Sequence, residues 1–158
     1  MTDQPVLEDV ALEESQLRWP AFDADTAWRL GSWIHDRAKR DGLVIAIEIS
    51  LAGHVLFVSA LPGATPDNAE WIRRKRNTVM RFHRSSLAMR LLCEAKGVPL
   101  AQRYGLAEAD YVASGGGVPI LIEGTGCVGA VVVSGLPDVR DHRLVVEAMR
   151  SLIGPQPT

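Results

Sequence analysis

Ala27, Leu30, Ile34 and Ala38 recur three and four positions apart, the period that places residues on one stripe of a helix. Pro20 and Asp23 introduce that helix, it runs to about Arg40, and Gly42 suits its C-terminal cap. The period then changes to two. In LVIAIEIS, Ile45, Ile47 and Ile49 share one face while Val44, Ala46 and Glu48 share the other, and HVLFVSAL follows across a tight LAG turn as the second arm of a hairpin. GATPDN opens the next helix, whose stripe is Trp71, Lys75, Val79 and Phe82. It breaks or bends near Ser85 and Ser86, resumes to Lys96 and stops at Gly97 and Pro99. After a short helical connector come three more strands, in YVASGGG, VPILIE and the β-branched run after Gly129, and a last helix spans about Asp138 to Ile153. Strands arriving in hairpins, not in β-α-β units, predict an α+β fold with a mostly antiparallel five-stranded sheet and helices packed on it.

Two glycine clusters interrupt this pattern. Gly124, Gly126 and Gly129 have the spacing G-x-G-x-x-G, but a dinucleotide needs the glycines to open a helix, whose free N–H groups hold the pyrophosphate. Here a strand follows, so the motif reads as a hairpin and no nicotinamide dinucleotide is expected. Gly115, Gly116 and Gly117 precede Pro119 without the G-K-[ST] of a phosphate loop. They mark either a bent strand entrance or a loop that lets another group approach closely.

The chain has 158 residues, 47% hydrophobic and 23% charged, enough for one globular domain with a sizeable core. The expected division is an acidic N-terminal extension over residues 1–20 and a single domain over residues 21–154. A net charge of -2 gives no global pull toward nucleic acid or an anionic membrane. No apolar run is long enough for a membrane span, no export signal opens the sequence, and Cys93 and Cys127 lack metal-type spacing, so a cytoplasmic protein with free thiols is expected.

Charge is nevertheless segregated. Asp3, Glu8, Asp9, Glu13 and Glu14 stand without a base in the first 14 residues, while seven basic residues and no acid lie between Trp71 and Cys93. Arg73, Asn77, Arg81 and Arg84 would line one helical face, read as solvated or subunit-facing and not as a nucleic-acid surface. The acidic segment of one subunit could pair with that face on another. Lys75 departs from it, because its stripe points inward; it either snorkels to solvent or meets an anion at a pocket wall. Asp138 and Asp141 suit the positive end of the last helix. His142 shares a stripe with Val145, Met149 and Leu152 and reads first as a buried, hydrogen-bonded histidine and second as a ligand group. His35, His54 and His83 form no metal pattern, and no catalytic triad order is recognisable.

GATPDNAEWIRRKRNTVMRFHRSS, GGGVPI and VGAVVVSGLPDVRDHRLVVEAM together resemble the haem-degrading-domain family, in its small cytoplasmic branch of bacteria and fungi, over about residues 20–153. The resemblance implies a profilin-like three-layer α-β-α sandwich around a five-stranded antiparallel sheet, and a homo-oligomer built from dimers. Gly115, Gly116, Gly117 and Pro119 match the family's glycine-proline loop, Ser134 and Gly135 its strand end, and Asp141 and His142 its Asp-His pair. Trp71, Lys75 and Asn77 match a motif of the branch. Its relatives include secreted haem-binding sensors and the C-terminal domain of some corrinoid adenosyltransferases, which makes tetrapyrrole binding the recurrent theme. The implied reading is a non-enzymatic domain for haem or a similar planar ligand, with Lys75 or nearby arginines meeting propionates. The alternatives are a ligand-free interaction or chaperone-associated oligomer, and a small-molecule enzyme at a subunit interface with His142 and Asp141 as acid and base.

Overall fold

The computed structural model describes residues 4–154, so Asp3 and the end of the GPQPT tail fall outside the described residues. The elements follow in the order α1 (Leu7–Gln16), β1 (Arg18–Trp19), α2 (Ala24–Asp41), β2 (Ala46–Leu51), β3 (His54–Ala60), α3 (Pro66–Phe82), α4 (Ser86–Lys96), α5 (Leu100–Tyr104), β4 (Gly117–Ile122), β5 (Gly126–Ser134) and α6 (Asp138–Ile153). One five-stranded sheet has the order β1-β4-β5-β2-β3. It is α+β and mostly antiparallel: β2 runs against β3 and β5, β4 runs against β5, and only β1 is parallel to its neighbour, β4.

Period-two alternation splits the sheet into two buried faces. Ile45, Ile47, Ile49, Val131 and Val133 turn to the core under α2 and α6, where the stripe Ala27, Leu30, Ile34 and Ala38 is fully buried. Ala46, Ala130 and Val132 turn the other way and pack with Ile72 and Val79 of α3. Glu48 lies on this second face and is bonded to Arg76 of α3. Helix ends follow their chemistry. Asp23 accepts from the Thr26 N–H at 2.9 Å in a capping box, Gly42 closes α2 in the left-handed region at φ 67, and His83 does the same for α3 at φ 55. Ser85 then caps α4, so the long helix breaks at Phe82.

Three expectations are corrected. Residues 111–116 of YVASGGG form no strand, because α3 engages the backbone there: Thr78 Oγ1 accepts from Val112 N at 3.1 Å and donates to Val112 O at 2.8 Å, and Asn77 donates to O of the preceding Asp110 at 2.9 Å. The fifth strand is instead β1, from the segment read as an extension outside the domain. Its Trp19 is 3% exposed and pairs with Ile122. The acids before it are also used within the subunit. Glu14 accepts from Ser85 N at 3.1 Å, and Glu13 meets His142 at 3.2 Å and Arg150 at 3.3 Å, so these two are not available to the basic face of another subunit.

Candidate functional site

α3 carries Trp71 and Lys75 one turn apart on the stripe that faces the end of β5 and the start of α6. Lys75 does not snorkel. It is 2% exposed, and its Nζ donates to Val133 O at 3.0 Å and to Asp141 Oδ2 at 3.2 Å. Asp141 is 1% exposed, and its other oxygen accepts from Leu136 N at 3.0 Å. Burial dominates both groups, because a charge removed from water loses solvation that one partner replaces only in part. It raises the Asp141 carboxyl to about 6 against the pull of Lys75, and it lowers the Lys75 ammonium below its ordinary value.

The glycine loop makes room for this pair. A Cβ on Gly116, which has φ 134, would lie 2.4 Å from Val133 O and 2.7 Å from Lys75 Nζ. The group that approaches the bare backbone is therefore the lysine head of the same chain. Gly117 and Gly115 are equally hemmed in, by Val79 and by the backbone of Asp138. Asp138 does not cap its own helix. Its Oδ2 accepts from Gly115 N at 3.0 Å and pairs with Arg90 at 2.7 Å, while Pro137 occupies the cap position.

Above the pair opens a cleft of about 250 Å³, lined by Asp67, Asn68, Trp71, Lys75, Ser114, Ser134, Gly135, Leu136, Asp138 and Asp141. Asn68 Nδ2 reaches Ser134 Oγ at 3.4 Å. Of the residues named from sequence, the structure thus gathers Trp71, Lys75, Ser134, Gly135, Asp138 and Asp141 here, with Gly116 directly against Lys75 and Gly115 bonded to Asp138. It places Asn77, Pro119 and His142 elsewhere. Asn77 ties down the loop at Asp110, Pro119 is buried in β4 opposite Ala130, and His142, 1% exposed, turns toward α1 and binds Glu13. Consecutive residues of a helix point about 100° apart, so Asp141 and His142 do not form one acid–base pair. The bond from His142 is the largest reason the Glu13 carboxyl lies below its ordinary value. Asp67, Asn68 and Ser114 escaped the sequence reading. Only Asn68 had a signal, as the third helical residue of a capping box with Thr65.

Two arginines at the start of the basic stretch of α3 are engaged within the subunit. Arg73 binds Glu70 at 3.1 Å, Asp110 at 3.0 Å and Ala109 O at 2.8 Å, and Arg74 donates to Glu108 O at 2.8 Å. Arg74 also lies over the Trp71 ring, 5.1 Å from its centroid. Among the described residues no group of three or more His, Cys, Asp or Glu could hold a metal ion, and no helix is long and apolar enough to cross a membrane.

The profile of the haem degrading HbpS-like proteins matches residues 22–150. A UPF0303 protein of Rhizobium rhizogenes is 52% identical over 98% of this chain and 94% of its own length. The crystal structure of the Ybr137w protein superposes with a TM-score of 0.85 at 29% identity, covering 96% of this chain and 88% of that one. A crystal structure of a PduOC–haem complex superposes with a TM-score of 0.71 at 18% identity, covering 83% of this chain and 94% of that one.

Proposed function

The chain belongs to the haem degrading HbpS-like family, and from that premise we propose that it is an oligomeric domain that binds haem or a related tetrapyrrole in a sensing, carrier or accessory role. The observation that carries this reading is the span of the family match, which takes in four of the five strands and the whole Trp71 cleft. A shared fold with a protein crystallised with haem supports it. The half-buried Trp71 ring gives the cleft a flat apolar wall suited to a planar ligand. Lys75 is committed to Asp141, so the cation for a propionate is the nearby Arg74, which lies over the Trp71 ring and has no carboxylate partner among the described residues. Guanidinium and carboxylate match in geometry as well as charge.

Titrating the protein with haemin tests the reading. A shifted Soret band that saturates at one haem per subunit supports it, and an unshifted spectrum at micromolar protein removes it. Sedimentation on the same sample tests assembly, because a single species of about the 17.2 kDa chain mass would show that the domain acts as a monomer.

A further inference from the structure

Arg74 lines a pocket that shares no residue with the Trp71 cleft. It has a volume of about 300 Å³ and lies between α3, α4, α5 and the loop that follows α5. Much of its lining is apolar: Cys93, Pro99, Leu100, Ala101 and Ala113, with the ring of Tyr111. Cys93 and Leu100 belong to a small core cluster with Met89, against which Tyr111 and Ala113 pack, so the pocket rests on hydrocarbon that is already buried. Four charged residues line it as well, and three of them are paired or solvated. Arg90 pairs with Glu94 and with Asp138, both at 2.7 Å, and Glu108 is exposed. Arg74 is the fourth. Its guanidinium lies over the Trp71 ring, 5.1 Å from the centroid, and donates to Glu108 O at 2.8 Å, so a half-buried cation is held in one orientation from two sides. A guanidinium has five N–H donors. That carbonyl takes one, and Nε is buried with no acceptor among the described residues. Ligand pockets commonly combine an apolar lining with a few placed polar groups of this kind, which fix a charged head while the body leaves water.

We propose that this pocket binds a small apolar monocarboxylate, with its carboxylate on Arg74 and its hydrocarbon body against Cys93, Leu100, Ala101 and Ala113. The planar carboxylate offers two acceptors to the fork of the guanidinium, a match that a hydroxyl or an amide lacks. The hydrocarbon gains by leaving water for a lining of its own kind. Charge sets the limit to one carboxylate. A dicarboxylate or a phosphate dianion would bring a second negative charge toward Glu94 and Glu108, and the other cation of the pocket, Arg90, already has two carboxylate partners. The site shares with the haem reading the role of Arg74 as a carboxylate partner and nothing else, since its ligand needs neither a ring nor an iron and does not enter the Trp71 cleft.

Hexanoate is the probe, added to the haem-free full chain near neutral pH and followed by the chemical shifts of the backbone amides. Saturable shifts should appear around Arg74, Cys93, α5 and residues 107–113, at one hexanoate per chain. Hexanol, the same body without the charge, should bind about tenfold more weakly or worse, and so should hexanoate to Arg74→Gln, the scale of a hydrogen bond to a charged group. Ala101→Leu, which adds hydrocarbon to the pocket and leaves Arg74 in place, should weaken hexanoate as well. Melting temperatures establish that both variants fold, and if either does not, hexanol and the shift map on the wild type still decide. No saturable shifts in the wild type at tens of millimolar hexanoate overturns the proposal, and so do shifts centred on the Trp71 cleft. Equal binding of hexanol, or unaltered hexanoate binding by folded Arg74→Gln, overturns the pairing of carboxylate with Arg74. This titration contains no haem and the haemin titration no hexanoate, so either reading fails alone.

Discussion

Lys75 sits where Trp71, Val79 and Phe82 mark the helix as inward-facing, and the ammonium is accommodated by an internal carboxylate, not by a route to solvent. A matched buried pair stabilises little over a well-packed apolar substitute, but breaking one strands a charge. Lys75→Met should therefore cost about 3 kcal/mol near neutral pH. The cost should shrink as pH falls toward about 6, because without Lys75 to lower it Asp141 takes up its proton at a higher pH than in the wild type. The wild type has its own pH signature. The folded-state value of Asp141, about 6, lies above its ordinary 3.8, so the fold favours the protonated form. That contribution is complete below the unfolded value and is lost as pH rises through about 6. Denaturant midpoints from about pH 4.5 to 7.5 should fall for the wild type relative to Asp141→Asn. Parallel curves would show that the carboxyl titrates normally.

At the scale of elements, the β4–β5 hairpin gives its glycines different tasks. Gly126, at φ 110, has nothing within 4 Å of where a Cβ would stand, so only backbone conformation opposes a side chain there. Gly129 is paired with Leu51 and Ile120 in the middle of the sheet, and a Cβ would come within 2.0 Å of Ser50 O. Gly126→Ala should cost about 1 kcal/mol, and Gly129→Ala about 3 kcal/mol, because β2 must be pushed away. Urea unfolding of the two variants checks the order, and a larger loss at Gly126 would contradict it. The hairpin itself was legible because a β-branched run after the glycines left no place for a helix. The loop 111–116 was misread for the opposite reason. Its Tyr111 and Val112 favour a strand by type, but the partners that decide the matter, Thr78 and Asn77, lie 34 and 33 positions away on α3.

For the whole molecule, the N-terminal segment is structural. Trp19 closes the open edge of β4 and meets Phe22 edge-on at 5.0 Å, while α1 covers Leu87 and Ala88 with Val10. Trp19→Ala should cost about 3 to 5 kcal/mol, the usual loss for a buried large aromatic. A chain shortened to begin at residue 21 should melt lower still. Calorimetry on both settles the point, and an unchanged melting temperature in the shortened chain would restore residues 1–20 to the status of an appendage.

What the sequence determined alone was periodic or locally capped. The stripe of α2, the alternation in β2, the β-branched run of β5, the break near Ser85 and the span of α6 all depend on residues within a few positions of one another. The resemblance in the three quoted segments extended that to the family. Tertiary structure decided the rest. A two-residue strand such as β1 has no period to detect, and its place depends on β4, roughly a hundred residues later. The cleft likewise joins α3, the end of β5 and the start of α6, and Lys75 finds Asp141 across 66 positions. Burial and pairing at that separation are set by how the layers pack, which no local pattern records.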